Sequence, residues 1–165
     1  MQNIVYTSGG EEVLDKAKEL WEKLNQLYAT SSPYFEGYYA DQTWKKRRGE
    51  ISRRSRKAGI RVELAYAGSD RRLVGFCIAY VTKENEGELD SIYVEKDFRN
   101  TGIGDRLMIA ALNWFHYQGT STVKIAVETG NEEVIQFYQR HGFSPRTIVL
   151  ENPPLESSLV PANES

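Results

Sequence analysis

Cysteine is nearly absent from this chain of 165 residues, because Cys77 is its one such residue. An internal disulfide is therefore excluded. Residues 74–79 around it are apolar, so we expect a buried structural thiol there and not a nucleophile. Histidine is also scarce, and His116 and His141 stand near predicted helix ends without partners at metal-ligand spacing. The sequence therefore predicts no metal site.

Long apolar runs and an excess of basic charge are lacking as well. No apolar stretch approaches the roughly 20 residues of a membrane-spanning helix, and no basic patch precedes an apolar stretch at the N-terminus. A net charge of −2 and a pI of about 5.8 argue against a protein that is globally a binder of nucleic acid or anionic membranes. We therefore expect a cytoplasmic protein with no membrane partner, and nucleic acid is disfavoured as a partner.

One segment, from Lys45 to Arg61, runs against this balance because it is strongly basic. Charge runs are usually solvated faces, yet an acidic partner, an anionic acceptor and the phosphates of a cofactor stay open as alternatives.

The length predicts one domain with a real core. We assign residues 1–150 to that domain. Residues 151–165, with Pro153, Pro154 and several serines, form a C-terminal tail that we expect to be mobile.

Apolar periodicity predicts strands and helices in a definite order. Ser8 and Glu11 form a capping box before an amphipathic helix over residues 11–28. A basic second helix follows over residues 41–58. The other predicted elements are a strand at 4–6, an antiparallel hairpin at 61–66 and 73–81, a strand at 88–94, a helix at 102–117, a strand at 122–127, a helix at 132–141 ended by Gly142, and a last strand at 143–150.

Residues 99–104, with the sequence Arg-Asn-Thr-Gly-Ile-Gly, fall where the predicted strand at 88–94 leads into a helix. The unpaired N–H groups and the positive dipole end of a helix start favour an anion such as phosphate there. A dinucleotide fingerprint would need a third glycine at Leu107, and a nucleotide P-loop would need lysine directly after Gly104. Neither is present, so the turn predicts an anion site of another kind.

A second segment, residues 131–143, places Asn131 ahead of Phe137, Tyr138 and a Gly-Phe pair. Together with the Arg-x-x-Gly-x-Gly turn and the order of predicted elements over residues 3–150, it resembles the GCN5-related N-acetyltransferases, the GNAT family. The resemblance implies an α/β (α+β) fold with a mixed central sheet that is splayed between its fourth and fifth strands and flanked by about four helices. It also implies acetyl-CoA as co-substrate, with no metal.

In that family the pantetheine arm lies along the strand before the turn like an added strand, and the pyrophosphate lies on the amides of the turn. Asn100 and Lys96 stand where the family often has glycine and proline, but neither change removes an amide donor. We expect Asn131 to bind the cofactor arm or to cap its helix. The implied cofactor-binding residues are Ile92, Tyr93, Val94, Arg99, Asn100, Thr101, Gly102, Ile103, Gly104, Asp105, Asn131 and Tyr138.

The activity implied by the resemblance is direct transfer of an acetyl group to a primary amine. A lysine-like amine with a pKa of about 10.4 is almost fully protonated at neutral pH, so a base must take its proton. Glu88 matches a position where some members carry a glutamate base, with Asp90, Glu36 and Glu128 in reserve. Tyr138 matches the tyrosine that serves as general acid for the departing thiolate.

Other functions stay open at this point. The chain could be a non-catalytic module that binds or senses acyl-CoA, or a protein whose basic second helix binds nucleic acid. The aromatic residues within 34–39 predict either core packing or a wall of the acceptor site, where Glu36 would meet a cationic amine. The acceptor is a small molecule, a peptide or a protein, and a homodimer is compatible with the sequence.

Overall fold

A computed structural model describes residues 2–153 of the chain. The strands are β1 (Ile4–Gly9), β2 (Ser55–Ala67), β3 (Arg72–Thr82), β4 (Gly87–Val94) and β5 (Val123–Ile125). They form a five-stranded sheet in the order β1-β2-β3-β4-β5. Neighbours are antiparallel from β1 to β4, whereas β4 and β5 are parallel. The predicted hairpin and the predicted strand before the glycine motif are therefore present.

Helices cover both faces of the sheet. A 3-10 helix (Glu11–Ala17) leads into α1 (Lys18–Ser31), followed along the chain by α2 (Glu36–Asp41), α3 (Trp44–Arg54), α4 (Ile103–Gln118) and α5 (Ile135–Arg140). On one face Trp21 and Trp44 pack with Phe76 of β3 in one buried cluster. On the other face Leu107 of α4 packs in a second cluster with Leu89 of β4. This mixed sheet with flanking helices confirms the predicted fold class.

The parallel pair β4–β5 is short, and its end opens the sheet. Residues 87–89 pair with residues 123–125, and the ladder stops there. The register of β4 against β3 shifts between Ile78 and Ala79, which leaves Asp90 as an extra, bulged residue. A bulge bends its strand and increases the local twist. The strands therefore part at Asp90, and we call the opening between β4 and β5 the fork.

The start of the first helix differs from the prediction. Ser8 lies in β1, and its hydroxyl accepts a hydrogen bond from Arg61. The helix begins after Gly10, whose N–H donates to Glu12 Oε1 at 2.8 Å. The predicted capping box of Ser8 and Glu11 is therefore wrong, because Ser8 pairs in the sheet as part of β1 and does not precede the helix directly.

The second helix, predicted over residues 41–58, is wrong at both ends. α3 begins after Thr43, whose Oγ1 accepts from the Lys46 N–H at 3.2 Å. It stops at Arg54, since the residues that follow pair with β3 as part of β2. Tertiary pairing overrides the local helical preference of the basic run.

Residues 143–150 do not form the predicted last strand. Within the described residues they pair with no strand, and Ile148, Val149 and Leu150 are 88%, 82% and 90% exposed. Strand propensity is a local property, whereas a strand also needs the edge of a neighbour. Pro145, within this segment, also lacks the N–H that a strand donates to its neighbour. The strand before it, β5, is shorter than predicted.

Most of the predicted tail, residues 154–165, lies outside the described residues. The domain boundary at residue 150 stays a prediction. Across residues 2–153, every helix is too short or too polar to cross a membrane.

Candidate active site

The glycine turn, residues 99–104, connects β4 to α4 through a short 3-10 helix, Lys96–Phe98. Gly102 precedes α4 with a φ of 89°, and Asn100 has a φ of 60°. Glycine adopts left-handed backbone freely, and asparagine is among the few other residues that tolerate it. Asparagine therefore fits position 100, where the related family often has glycine.

The backbone N–H groups of this turn have no protein acceptors. The first hydrogen bond of α4 runs from the Arg106 N–H to Gly102 O at 3.1 Å, and no side chain caps the helix. Among the described residues, the N–H groups of residues 100–105 donate to no protein atom. A row of unpaired donors at the positive end of a helix dipole is an arrangement that binds anions.

The side chains of the turn fasten it to the preceding strand. Arg99 Nε donates to Val94 O at 2.9 Å, and its guanidinium lies 5.4 Å from the centre of the Tyr93 ring. Thr101 Oγ1 donates to Phe98 O at 2.5 Å. These side chains are therefore occupied, and the amides are the groups left for a ligand.

Asp105, in the first turn of α4, binds the end of α5. Its Oδ1 lies 2.7 Å from His141 Nε2 and 3.2 Å from Arg140 Nη2. The hydrogen bond with His141, aided by Arg140, lowers the pKa of Asp105. The carboxylate is thus held by α5, which gives His141 a structural role that the sequence had not indicated.

Past the fork, β4 keeps a free edge. Ile92, Tyr93 and Val94 pair with residues 75–77 of β3, and within residues 2–153 no strand pairs with their other side. Such an edge binds an extended ligand through backbone hydrogen bonds. The edge leads to the glycine turn, so the two predicted halves of a cofactor site are continuous.

Tyr138 of α5 packs its ring against Phe137 and Phe143, with centroid distances of 5.5 and 6.3 Å. Burial raises the pKa of the Tyr138 hydroxyl, with a smaller contribution from the nearby Cys77. Burial likewise raises the pKa of Cys77, so that thiol is inert, as predicted. Tyr138 therefore keeps its proton at neutral pH.

The two predicted carboxylates of β4 already have partners. Glu88 Oε1 lies 2.6 Å from Arg54 Nη2, and the Tyr80 hydroxyl donates to Glu88 Oε2. Asp90, whose side chain is 1% exposed, accepts from the Arg47 guanidinium. Each carboxylate is therefore paired with an arginine of α3.

Such pairs account for much of the basic segment between Lys45 and Arg61. The pairs are Arg47 with Asp90, Arg48 with Asp15, Arg54 with Glu88, and Arg61 with Glu63. Four of the nine basic residues of this segment are thus paired with carboxylates of the same chain.

An aromatic and acidic cluster borders the fork. Tyr28 of α1 and Tyr39 of α2 have ring centroids 5.6 Å apart, and the Tyr39 hydroxyl donates to Glu128 Oε2. Within the aromatic run at 34–39, Tyr39 is 7% exposed and packs in the interior, as one of the two alternatives predicted, whereas Tyr38 is 45% exposed. A wall of the acceptor site stays a prediction. Tyr28 was missed because its helical spacing marked it as core.

Two predicted residues have a simpler outcome. Asn131 precedes a 3-10 turn, Glu132–Val134, but the Asn131 side chain does not cap that turn. A different bond forms here, in which the Gly130 N–H donates to Glu132 Oε1 at 2.9 Å. The Asn131 amide is therefore left for the other predicted role, binding the cofactor arm. The side chain of Glu36 lies outside the described part of the structure.

A sequence profile of the acetyltransferase (GNAT) family matches residues 21–143, which include the fork, the glycine turn and Tyr138. The chain belongs to this family. Curated relatives agree with that assignment over part of their length. An uncharacterized N-acetyltransferase of Methanocaldococcus jannaschii is 33% identical over 72 residues, which are 44% of this chain and 32% of that protein.

A mycothiol acetyltransferase of Propionibacterium freudenreichii is 34% identical to this GNAT chain over 90 residues, or 53% of this chain and 28% of that protein. The matches thus span about a third or less of these relatives. A GNAT acetyltransferase of Staphylococcus aureus Mu50 has a TM-score of 0.64 at 15% identity, covering 85% of this chain and 84% of its own. An aminoglycoside N-acetyltransferase in complex with CoA has a TM-score of 0.60 at 17% identity, covering 93% and 96%. These structures establish the fold.

Proposed function

We propose that this GNAT protein transfers the acetyl group of acetyl-CoA to a primary amine. The observation that carries the proposal is the row of unpaired N–H groups at residues 100–105, placed where the free edge of β4 ends. Anion-binding amides beside a free strand edge match the pyrophosphate and the extended pantetheine arm of CoA. Family membership, and a related fold determined with CoA, support the same ligand.

The proposed cofactor contacts follow from this arrangement. Ile92, Tyr93 and Val94 bind the arm through backbone groups, the N–H groups of residues 100–105 bind the pyrophosphate, and Asn131 offers its free side-chain amide. The Arg99 N–H, which was predicted to take part, instead donates to Lys96 O at 3.3 Å. Acetyl-CoA supplies the acetyl group as a thioester, which reacts with a neutral amine. The chain must therefore remove a proton from the amine and assist departure of the sulfur.

Tyr138 is the proposed general acid. Because burial raises the pKa of its hydroxyl, the proton is in place at neutral pH. Full transfer of that proton to a thiolate with a reference pKa of about 8.5 is uphill. The contribution of Tyr138 is therefore a hydrogen bond that stabilises the sulfur as its negative charge develops.

Glu88 is the proposed base. Arg54 and Tyr80 each donate to one of its oxygens, and each oxygen keeps a second lone pair that can accept from a water. Glu88 takes the proton through such a water. Asp90 is less suited because its carboxylate is buried against Arg47.

The acceptor is proposed to be an amine on a small molecule or a peptide. Relatives named as aminoglycoside and mycothiol acetyltransferases support a small-molecule amine, without assigning either substrate to this chain. The cytoplasmic location and the homodimer stay predictions.

Titration calorimetry tests the cofactor proposal. We expect acetyl-CoA to bind with a Kd of about 1 µM to 1 mM, the usual range for enzyme substrates. S-acetylpantetheine, which lacks the pyrophosphate together with the adenosine 3′-phosphate, should bind at least about 100-fold more weakly, because it leaves the amide row without its anion. Equal affinity for the two compounds, or no binding of acetyl-CoA, would contradict the proposal.

A further inference from the structure

Glu128 follows β5, in the segment that diverges from β4 at the fork. Pairing between the strands ends at Ile125, and continued pairing would have brought Glu128 opposite Ile92. The strands have parted before that point, and Tyr39 of α2 reaches Glu128 Oε2 with its hydroxyl instead. Glu128 is thus held between β5 and α2, across the fork from the free edge of β4.

The charge of Glu128 is not balanced in the way that other carboxylates of the fork are. Glu88 and Asp90 each form an ion pair with an arginine of α3. Among residues 2–153, no lysine, arginine or histidine forms an ion pair with Glu128, and its hydrogen bond comes from a neutral phenol. A partly buried carboxylate is stabilised when a cation pairs with it, so this site lacks a cation that a ligand can supply.

The tyrosine that holds this carboxylate belongs to a cluster of aromatic rings. The ring of Tyr39 packs against Tyr28 at 5.6 Å and against Tyr38 at 5.2 Å between centroids. Tyr38 is 45% exposed, so a ring of the cluster faces solvent. Ammonium groups bind favourably over such rings, by about 0.5 to 2 kcal/mol each in proteins.

The cluster also lies near the proposed general acid. Burial raises the pKa of Tyr28, and the proximity of Tyr138 and Glu128 adds to that rise. The hydroxyl of Tyr28 therefore lies within the electrostatic reach of both groups. Tyr138 and Glu128 therefore both lie near Tyr28.

We infer that the Glu128 carboxylate, positioned by Tyr39, binds the ammonium group of a cationic acceptor at the fork. The acceptor's charge supplies the missing partner of Glu128, and its carbon chain lies against the tyrosine rings. The inference rests on the proposed function, because it names the acceptor subsite of the same fork. It assigns separate tasks to two carboxylates, since Glu128 holds the cation and Glu88 receives the proton. Tyr39 is a positioning residue.

A pair of probes that differ in charge tests the inference. Tryptamine carries an ammonium group, and tryptophol carries a neutral hydroxyl in its place. In the presence of CoA, we expect the wild-type protein to bind tryptamine at least about 10-fold more tightly than tryptophol, as charged hydrogen bonds allow. Glu128→Gln should abolish that preference and leave tryptophol binding unchanged.

Two further variants test the position of the Glu128 carboxylate and the location of the charge separately. Tyr39→Phe keeps the charge of Glu128 but removes its hydrogen bond, and should weaken tryptamine binding about 3- to 10-fold. Glu133→Gln removes an equal charge from an exposed neighbouring position and should leave the preference intact. With any amine that is turned over, Glu128→Gln should raise the acceptor KM while the KM for acetyl-CoA stays unchanged, whereas Glu88→Gln should lower kcat.

A wild-type protein that does not distinguish the two probes would overturn the inference, and so would an unchanged preference in Glu128→Gln. If Glu128→Gln does not fold, Tyr39→Phe decides: full tryptamine affinity there also overturns the inference. Binding of acetyl-CoA is measured separately. Its loss in the wild-type protein would count against the proposed function, while intact cofactor binding with no probe preference would count against Glu128 alone.

Discussion

Gly102 and Gly104 belong to the same turn, but their backbones make different demands. Gly102 has a φ of 89°, whereas a Cβ on Gly104 would meet Phe137 at 3.5 Å, an ordinary contact. Left-handed backbone costs a non-glycine residue roughly 1–2 kcal/mol. We expect Gly102→Ala to distort the amide row and weaken acetyl-CoA binding about 10-fold or more, and Gly104→Ala to stay within about threefold of wild type.

Calorimetry on both variants, with a thermal melt to confirm folding, checks this ordering. A larger loss of affinity in Gly104→Ala than in Gly102→Ala would contradict the assignment of the turn as a backbone anion site.

Four buried or half-buried tyrosines give the protein a predictable response to alkali. Burial is the main reason that the pKa values of Tyr28, Tyr39, Tyr80 and Tyr138 are raised above their ordinary 10.0. Above that pH the unfolded chain loses phenolic protons that the folded chain retains. The contribution of these tyrosines to the free energy of unfolding is therefore fully present below pH 10 and declines as the pH rises above it.

Urea unfolding at a series of alkaline pH values measures this decline. We expect the free energy of unfolding to fall above about pH 10, more steeply in wild type than in Tyr138→Phe, which lacks one of the titrating groups. Identical slopes in the two proteins would show that Tyr138 is not buried in the way described.

At the scale of elements, the bulge in β4 depends on an ion pair with α3. Asp90 is 1% exposed and Arg47 is 28% exposed. Asp90→Asn leaves Arg47 with only Glu50, 3.1 Å away and more exposed, as its carboxylate partner. Breaking a largely buried pair in this way costs up to about 3 kcal/mol of folding stability. Glu86→Gln is the control, because its pair with Lys124 is exposed and should contribute less than about 0.5 kcal/mol.

Chemical denaturation of the two variants compares these costs. Equal stability of Asp90→Asn and Glu86→Gln would mean that the fork does not depend on the ion pair between Asp90 of β4 and Arg47 of α3.

Features with local signals were predictable from the sequence. The glycine turn could be located because a strand pattern, two glycines and a helical pattern adjoin one another, and the hairpin because alternation and a turn coincide. Three errors shared another cause: the Ser8 cap, the extension of the second helix to residue 58 and the strand at 143–150 all depended on which segments pair in the sheet.

The candidate site divides in the same way. The amide row lies in a turn that the local pattern indicates, whereas Tyr138 was predicted from the resemblance to the GNAT family. The contact of Tyr39 with Glu128 spans 89 positions, and the arginine partners of Glu88 and Asp90 come from another helix. Single-sequence patterns do not encode such pairs. The role of Glu88 as base was therefore predicted from the family resemblance, whereas the partners of the three carboxylates were found only in the fold.

At the scale of the whole molecule, the exposed run at Ile148, Val149 and Leu150 predicts self-association. These apolar residues are more than four-fifths exposed in a segment with strand-like composition. Unpaired apolar segments of this kind associate with another chain. We expect the protein to form dimers or larger species at raised concentration, and Ile148→Lys with Leu150→Lys to shift it toward monomer.

Light scattering after size-exclusion chromatography measures that shift. A wild-type protein that is monomeric at all concentrations would refute this prediction without affecting the site.

The central claim is acetyl transfer at the fork, and acceptor-dependent thiol release from acetyl-CoA tests it most directly. We expect amines from a panel of amino acids, polyamines, aminoglycosides and peptides to yield acetylated product and free thiol in equal amounts, with Tyr138→Phe slower by about 100-fold. Binding of acetyl-CoA without acetylation of any amine would contradict the claim and identify a binding module, and wild-type turnover in Tyr138→Phe would contradict its mechanism.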